Sequence, residues 1–208
     1  MDITLAADAS CVFTVDTQLQ PATAALFKNL NDASAGDTVI DAELFNKGIS
    51  ASKGIKSARL KNIGPASIAG TIEVSKLDVF ISGARQAPVV FENVPSGGKF
   101  ALTLTIETGE AFLSSISPDL ADYVSALLAP IATGERLSRQ EYLDLIAGVY
   151  GKKIAAEIAG STIKLLMRFP APVKRARGLS YKSNTAVLEL PLTAVLVLEN
   201  ELVWEVEW

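Results

Sequence analysis

The chain has 208 residues, 49% of them hydrophobic, with 19 basic against 23 acidic side chains and a formal charge of -4. That length buries one core or at most two small ones, and the weak acidic balance excludes the basic footprint of a nucleic-acid binder. There is no histidine, which removes Ser-His-Asp triads, Cys-His dyads, histidine-ligated zinc and histidine acid–base chemistry together.

In chain order, Ile3, Leu5, Ala7, Ala9, Cys11, Phe13 and Val15 alternate with Asp2, Thr4, Asp8, Ser10, Thr14 and Asp16, the period-two pattern of one long half-buried strand. Cys11 is the only cysteine, so no disulfide forms within the chain. Its place on the apolar face reads as a small buried hydrophobe, not a reactive thiol. Pro21 at a first helical position, with Leu26, Phe27 and Leu30 on one side, predicts a short helix over 21–31. From Asp37 to Thr108 the pattern is a run of strands: Val39–Phe45, Ile55–Ile63, Ile68–Val74, a further set at Leu77, Val79 and Ile81, Val89–Val94 and Lys99–Thr108. The set at Leu77 has the opposite parity to Ile68, Ile72 and Val74, which demands a bulge, bend or turn at Ser75–Lys76. Pro95-Ser-Gly-Gly98 marks a hairpin.

The period then becomes helical. Ser117 and Pro118 signal one helix start, limited by Pro130. Ser138-Arg-Gln-Glu141 is a capping box for a second helix that Gly160 can end, with Gly148 and Gly151 as weak points. Strands return at Ile163–Phe169, Val187–Leu198 and Leu202–Trp208, the last two as a hairpin around Glu199-Asn200. The expected architecture is a single α+β, β-rich domain over 1–208. It has about nine strands in mostly antiparallel, sandwich-like sheets and a two-helix insertion near 117–160.

Few motifs carry chemistry. Ser50-Ala-Ser-Lys53 has the Ser-x-x-Lys spacing of a serine acyl-transfer element, but it lies in a loop where Lys does not sit one helical turn from Ser. Glu201, Glu205 and Glu207 line one side of the last strand and read as charges that keep a terminal strand soluble. No metal loop, Walker loop or dinucleotide fingerprint is present, so no cofactor is expected. Lys174, Arg175 and Arg177 form the one basic cluster, read as an exposed turn with anion contact as its functional alternative. Leu188, Leu190, Leu192, Leu196 and Leu198 form an almost all-leucine face that either fills the core or lines an apolar-ligand cavity.

Leu202–Trp208, alternating and ending in an aromatic residue, resembles the closing strand of bacterial outer-membrane barrels. In strand rhythm alone, Ile55–Ile106 resembles exported immunoglobulin-like sandwich domains; no family is recognised over the chain. Together these features predict a non-enzymatic binding or structural domain that meets a protein partner through its surface. The loops Gly48–Gly54, Pro95–Gly98 and Pro170–Ser183 are the candidate contacts. The alternative is a carrier of an apolar ligand or lipid, and the third reading is a carboxylate-dependent enzyme. No apolar run is long enough for a transmembrane helix. With strand-like sequence from Asp2 and no leader pattern, a mature periplasmic or envelope-exposed protein is expected, with a cytoplasmic one as the alternative.

Overall fold

The computed structural model describes residues 1–30, 38–83, 89–94, 97–109, 127 and 135–208. Strands Asp2–Leu5 (β1) and Cys11–Gln18 (β2) are followed by helices Pro21–Leu30 (α1) and Ala42–Ser50 (α2). Strands Ile55–Gly64 (β3) and Ser67–Val74 (β4) then lead through a short helix, Leu77–Gly83 (α3), to Val89–Val94 (β5) and Gly97–Leu104 (β6). Helices Arg139–Tyr150 (α4) and Lys152–Gly160 (α5) precede Thr162–Arg168 (β7), Arg175–Arg177 (β8), Ser180–Lys182 (β9) and Thr185–Pro191 (β10). The last described elements are helix Leu192–Val197 (α6) and strand Leu202–Glu207 (β11).

These strands make a seven-stranded sheet in the order β3-β4-β2-β1-β7-β10-β9 and a four-stranded sheet in the order β5-β6-β11-β8. Neither closes on itself among the described strands. Of the described pairings only β1 with β7 is parallel. The fold is α+β and β-rich with mostly antiparallel pairing, as the alternating sequence implies.

Strand alternation gives each sheet one apolar face. In the large sheet Leu5, Cys11, Val74, Met167 and Ala186 point inward, and they share a core with Phe91, Phe100, Val206 and Trp208 of the small sheet and the residue that follows it. Trp208 is 1% exposed. It stacks on Phe169 at 4.7 Å, and its main chain exchanges two 3.0 Å hydrogen bonds with Gly98. The other end of the small sheet's apolar face, with Leu104 and the half-buried Leu102, Leu202 and Trp204, packs against the helices through Phe27, Tyr142, Ile146, Ile154, Ile158, Leu196 and Val197. A third, smaller cluster sets Ala42, Phe45 and Ile49 of α2 on Leu60 and Ile68.

Helix ends show why the chain folds locally as it does. The expected capping box forms: the Ser138 hydroxyl accepts from the Glu141 amide, and the Glu141 carboxylate accepts from the Ser138 amide. Hydrogen bonds from the Ser138 amide and hydroxyl hold Glu141 below the ordinary glutamate range. Gly151, at φ 97°, divides the expected long helix into α4 and α5, because an L side chain resists that backbone angle. The expected helix beginning at Ser117 lies outside the described residues.

Several expected strands take other forms. The first is a hairpin, not one strand: Asp8 Oδ1 accepts from the Ser10 amide (2.9 Å) and hydroxyl (2.6 Å), and Ala9 adopts φ 65°. Val39–Phe45 gives way to α2, because Asp41 caps the amides of Glu43 and Leu44. Leu77, Phe80 and Ile81 belong to helix α3, where spacings of three and four residues replace alternation. The expected turn at Ser75–Lys76 does occur, as the link from β4 to α3. Val187–Leu198 is strand only to Pro191 and helix from Leu192. The expected hairpin around Glu199-Asn200 is absent for that reason: α6 carries the chain from β10 in the large sheet to β11 in the small one.

Candidate functional site

The leucine face divides between two elements. Leu188 and Leu190 are buried on β10, on the same side as Ala186. Leu196 and Leu198 are buried in the helical core, with Leu192 packed against it half-buried. A cavity of about 440 Å³ opens beside this core, lined by Thr105, Ile106, Glu107, Arg136, Leu137, Ser138, Leu198, Glu199 and Glu201. Leu198 is the one residue of the leucine face that reaches it, and most of its lining is polar. Three of its four charges have partners: Glu199 accepts from the Arg139 amide at 3.0 Å, and Arg136 lies 3.6 Å from Glu107. The hydrogen bond with the Thr105 hydroxyl, more than the nearby Arg136, holds Glu107 below the ordinary glutamate range. Among the described residues no group of three metal-ligating side chains converges, here or elsewhere.

The basic cluster is a strand and not a turn. Arg175 and Arg177 lie on β8, in register with Glu207 and Glu205 of β11. Arg175 Nη2 meets Glu207 Oε1 at 2.6 Å, and this contact raises the arginine's affinity for its proton. Lys174 donates to the main-chain carbonyl of Trp208 at 3.2 Å. Arg175 and Lys174 therefore tie this segment to the last strand and the residue after it, while Arg177 and Glu205 share a register position. Glu201 lies apart, at the cavity.

The other singled-out residues are placed as follows. Burial pushes the Cys11 thiol up to about 12. Ser50 ends α2 instead of opening a helix. Gly54 is pressed against the main chain at Lys76 and Phe80. Of the Pro95–Gly98 loop, Pro95 and Ser96 lie outside the described residues, and Gly98 packs on the Trp208 ring. The Pro170–Ser183 segment carries β8 and β9 and sends Ala171, Val173 and Leu179 into the core.

The sheet edges show where the surface remains open. The β3 edge is covered: Asn46 of α2 donates to the Leu60 carbonyl at 2.9 Å and accepts from its amide at 2.8 Å, as a neighbouring strand would. Asn62 of β3 likewise donates to the Ile40 carbonyl and accepts from the Ala42 amide. The opposite edge, β9, and the small sheet's β8 edge have three residues each. β5 differs. It has six residues and contains neither proline nor lysine. Its Asn93 side chain reaches across to the Ala7 carbonyl. Among the described residues, neither a strand nor a main-chain hydrogen bond outside the β5–β6 ladder uses its other edge. On the outer face Val90 and Val94 are 51% and 57% exposed, with exposed Glu92 between them.

Sequence reasoning marked Val89–Val94 as a strand but not as an edge. Edge position depends on which strands pair, and that is set by β11, more than a hundred residues further on. Comparison with known proteins finds no match among protein-family models, curated proteins or solved structures.

Proposed function

We propose that this chain is a binding domain without catalytic chemistry of its own, which takes up an extended segment of a partner protein at the β5 edge. The observation that carries the reading is the contrast between edges. Natural sheets blunt exposed edges with short strands, covering elements, proline or charged side chains, because an unpaired row of amides and carbonyls templates further pairing; on β5 only Glu92 is of this kind. This chain covers or shortens the other described edges, whereas β5, although α3 packs near it, is longer, carries two exposed valines and has no strand paired on its far side among the described residues. Added strands gain affinity from main-chain hydrogen bonds and selectivity from alternate side chains. Four of the carboxylates, Glu141, Glu157, Glu199 and Glu207, are engaged in helix caps and strand pairing, which supports the same reading.

A displayed library of random extended peptides, selected on the intact protein, tests this. Enriched peptides are expected to slow amide exchange over 89–94, and Val90→Lys with Val94→Lys is expected to abolish their binding. Enriched peptides that protect another surface and ignore that double variant would refute the proposal.

A further inference from the structure

The outer face of the small sheet carries a charge pattern that runs across the strands. Glu92 of β5 is in register with Lys99 of β6, Lys99 with Glu207 of β11, and Glu207 with Arg175 of β8. Directly opposed residues in antiparallel pairs share a face and touch, so one row reads acid, base, acid, base across four strands. It closes at β8 on the 2.6 Å Arg175–Glu207 ion pair and ends at β5 on an exposed carboxylate. The next row begins at exposed Val90 and continues through Ala101, Glu205 and Arg177.

We infer that the segment taken up at β5 presents a lysine or arginine opposite Glu92, with apolar residues two positions to either side. A fifth strand would extend both rows. Its residue beside Glu92 sits against a carboxylate, where a cation is favoured and a second carboxylate disfavoured. Its neighbours two positions away sit beside Val90 and Val94 and gain by covering them. The pattern apolar-x-basic-x-apolar reads the same in either direction, so it fits parallel and antiparallel addition alike. A second copy of this chain fits badly, since two-fold antiparallel pairing about this position sets Glu92 against Glu92. The inference deepens the edge reading and rests on it.

The test uses two end-blocked peptides, Thr-Val-Thr-Lys-Thr-Val-Thr and the same sequence with Glu for Lys, titrated into the intact protein by fluorescence anisotropy. The lysine peptide is expected to bind about threefold to tenfold more tightly, the span of one attractive against one repulsive cross-strand pair. Glu92→Lys, at an exposed position, is expected to invert the order, and 1 M salt to compress the difference. Equal binding of the two peptides, each protecting the amides of 89–94, overturns the charge preference and leaves strand addition standing. Binding by neither peptide, or binding that survives N-methylation of alternate peptide amides, overturns strand addition and this inference with it. A peptide-free dimer with 89–94 protected overturns it in favour of a second copy.

Discussion

Glu157 joins two helices far apart in sequence, and removing its charge should loosen the helical layer in a measurable, pH-dependent way. Its carboxylate, on α5, accepts hydrogen bonds from the Ala22 amide (2.9 Å), the Thr23 amide (2.8 Å) and the Thr23 hydroxyl (3.0 Å). It thereby caps the N-terminus of α1 from a neighbouring helix, where Pro21 supplies no amide of its own. Losing a cap costs about 0.5 to 2 kcal/mol, and a carboxylate at the positive helix end adds about 0.3 to 1 kcal/mol. Glu157 is half-buried, and solvent screening discounts the electrostatic part. Glu157→Ala is therefore expected to lose about 1.5 kcal/mol at neutral pH, which in a chain of this size lowers Tm by roughly 3 to 6 °C. Glu157→Gln keeps one strong acceptor and should lose about half as much.

The pH dependence gives a second, independent readout. Burial alone would raise the Glu157 pKa, but the amides of Ala22 and Thr23 and the Thr23 hydroxyl outweigh it and leave it below its ordinary 4.5. A carboxylate whose pKa is depressed on folding contributes stability above its unfolded value, and that contribution is lost as pH falls through the folded value. The gap between the natural chain and Glu157→Gln should therefore be full at pH 7 and shrink below about pH 4.5. Urea melts at several pH values measure it, with Thr23→Ala completing a double-mutant cycle. A Gln variant as stable as the natural chain at pH 7, or a deficit unchanged at pH 3, refutes the cap.

Two structural predictions accompany this one. Asn46→Ala removes both hydrogen bonds that occupy the Leu60 main chain; it is expected to cost about 1 to 3 kcal/mol and to increase light scattering on mild heating as the β3 edge is uncovered. Gly98→Ala places a methyl group 2.2 Å from the Trp208 ring and 2.6 Å from the Glu92 carbonyl. Overpacking on that scale is expected to cost about 2 to 3 kcal/mol and to change the near-ultraviolet circular dichroism of the buried tryptophan, with unaltered melting and spectrum as the contrary result.

The parts of the fold legible in the sequence were those whose signals are local. β3, β4, β7 and β11 announce themselves by alternation, and α4 by Ser138 and Glu141; β6 does so only to Leu104, since the strand expected to run on to Thr108 turns helical at 106–109. The short helices were misread because over six or seven residues a three–four spacing and a two-residue spacing select overlapping positions. Leu192, Leu196 and Leu198 satisfy alternation, yet Leu192 and Leu196 also lie one helical turn apart. For α2 the available signal was Asp41 followed by Ala42, Phe45 and Ile49, a cap and an apolar stripe. The edge position of β5 among the described strands had no such signal. Nothing within Val89–Val94 states that its far side is unpaired, and nothing in Lys174–Arg177 states that two of its cations will face Glu205 and Glu207.

On the proposed reading, the same non-local pairing lets a strand that is unpaired on its far side among the described residues discriminate against a second copy of the chain. An uncovered edge with two exposed valines is ordinarily an aggregation hazard. Glu92 between them alters the balance of partners: opposite a basic residue it attracts, opposite a carboxylate it repels, and in two-fold pairing about this position a second copy presents the carboxylate. A single outward charge at the centre of an edge thus discriminates between partners by repulsion as much as by attraction. Lysine there would protect against self-pairing equally well but would conflict with Lys99 across the β5–β6 ladder. The row that ends at Glu92 therefore fixes which sign the edge can carry, and so which strands it can accept.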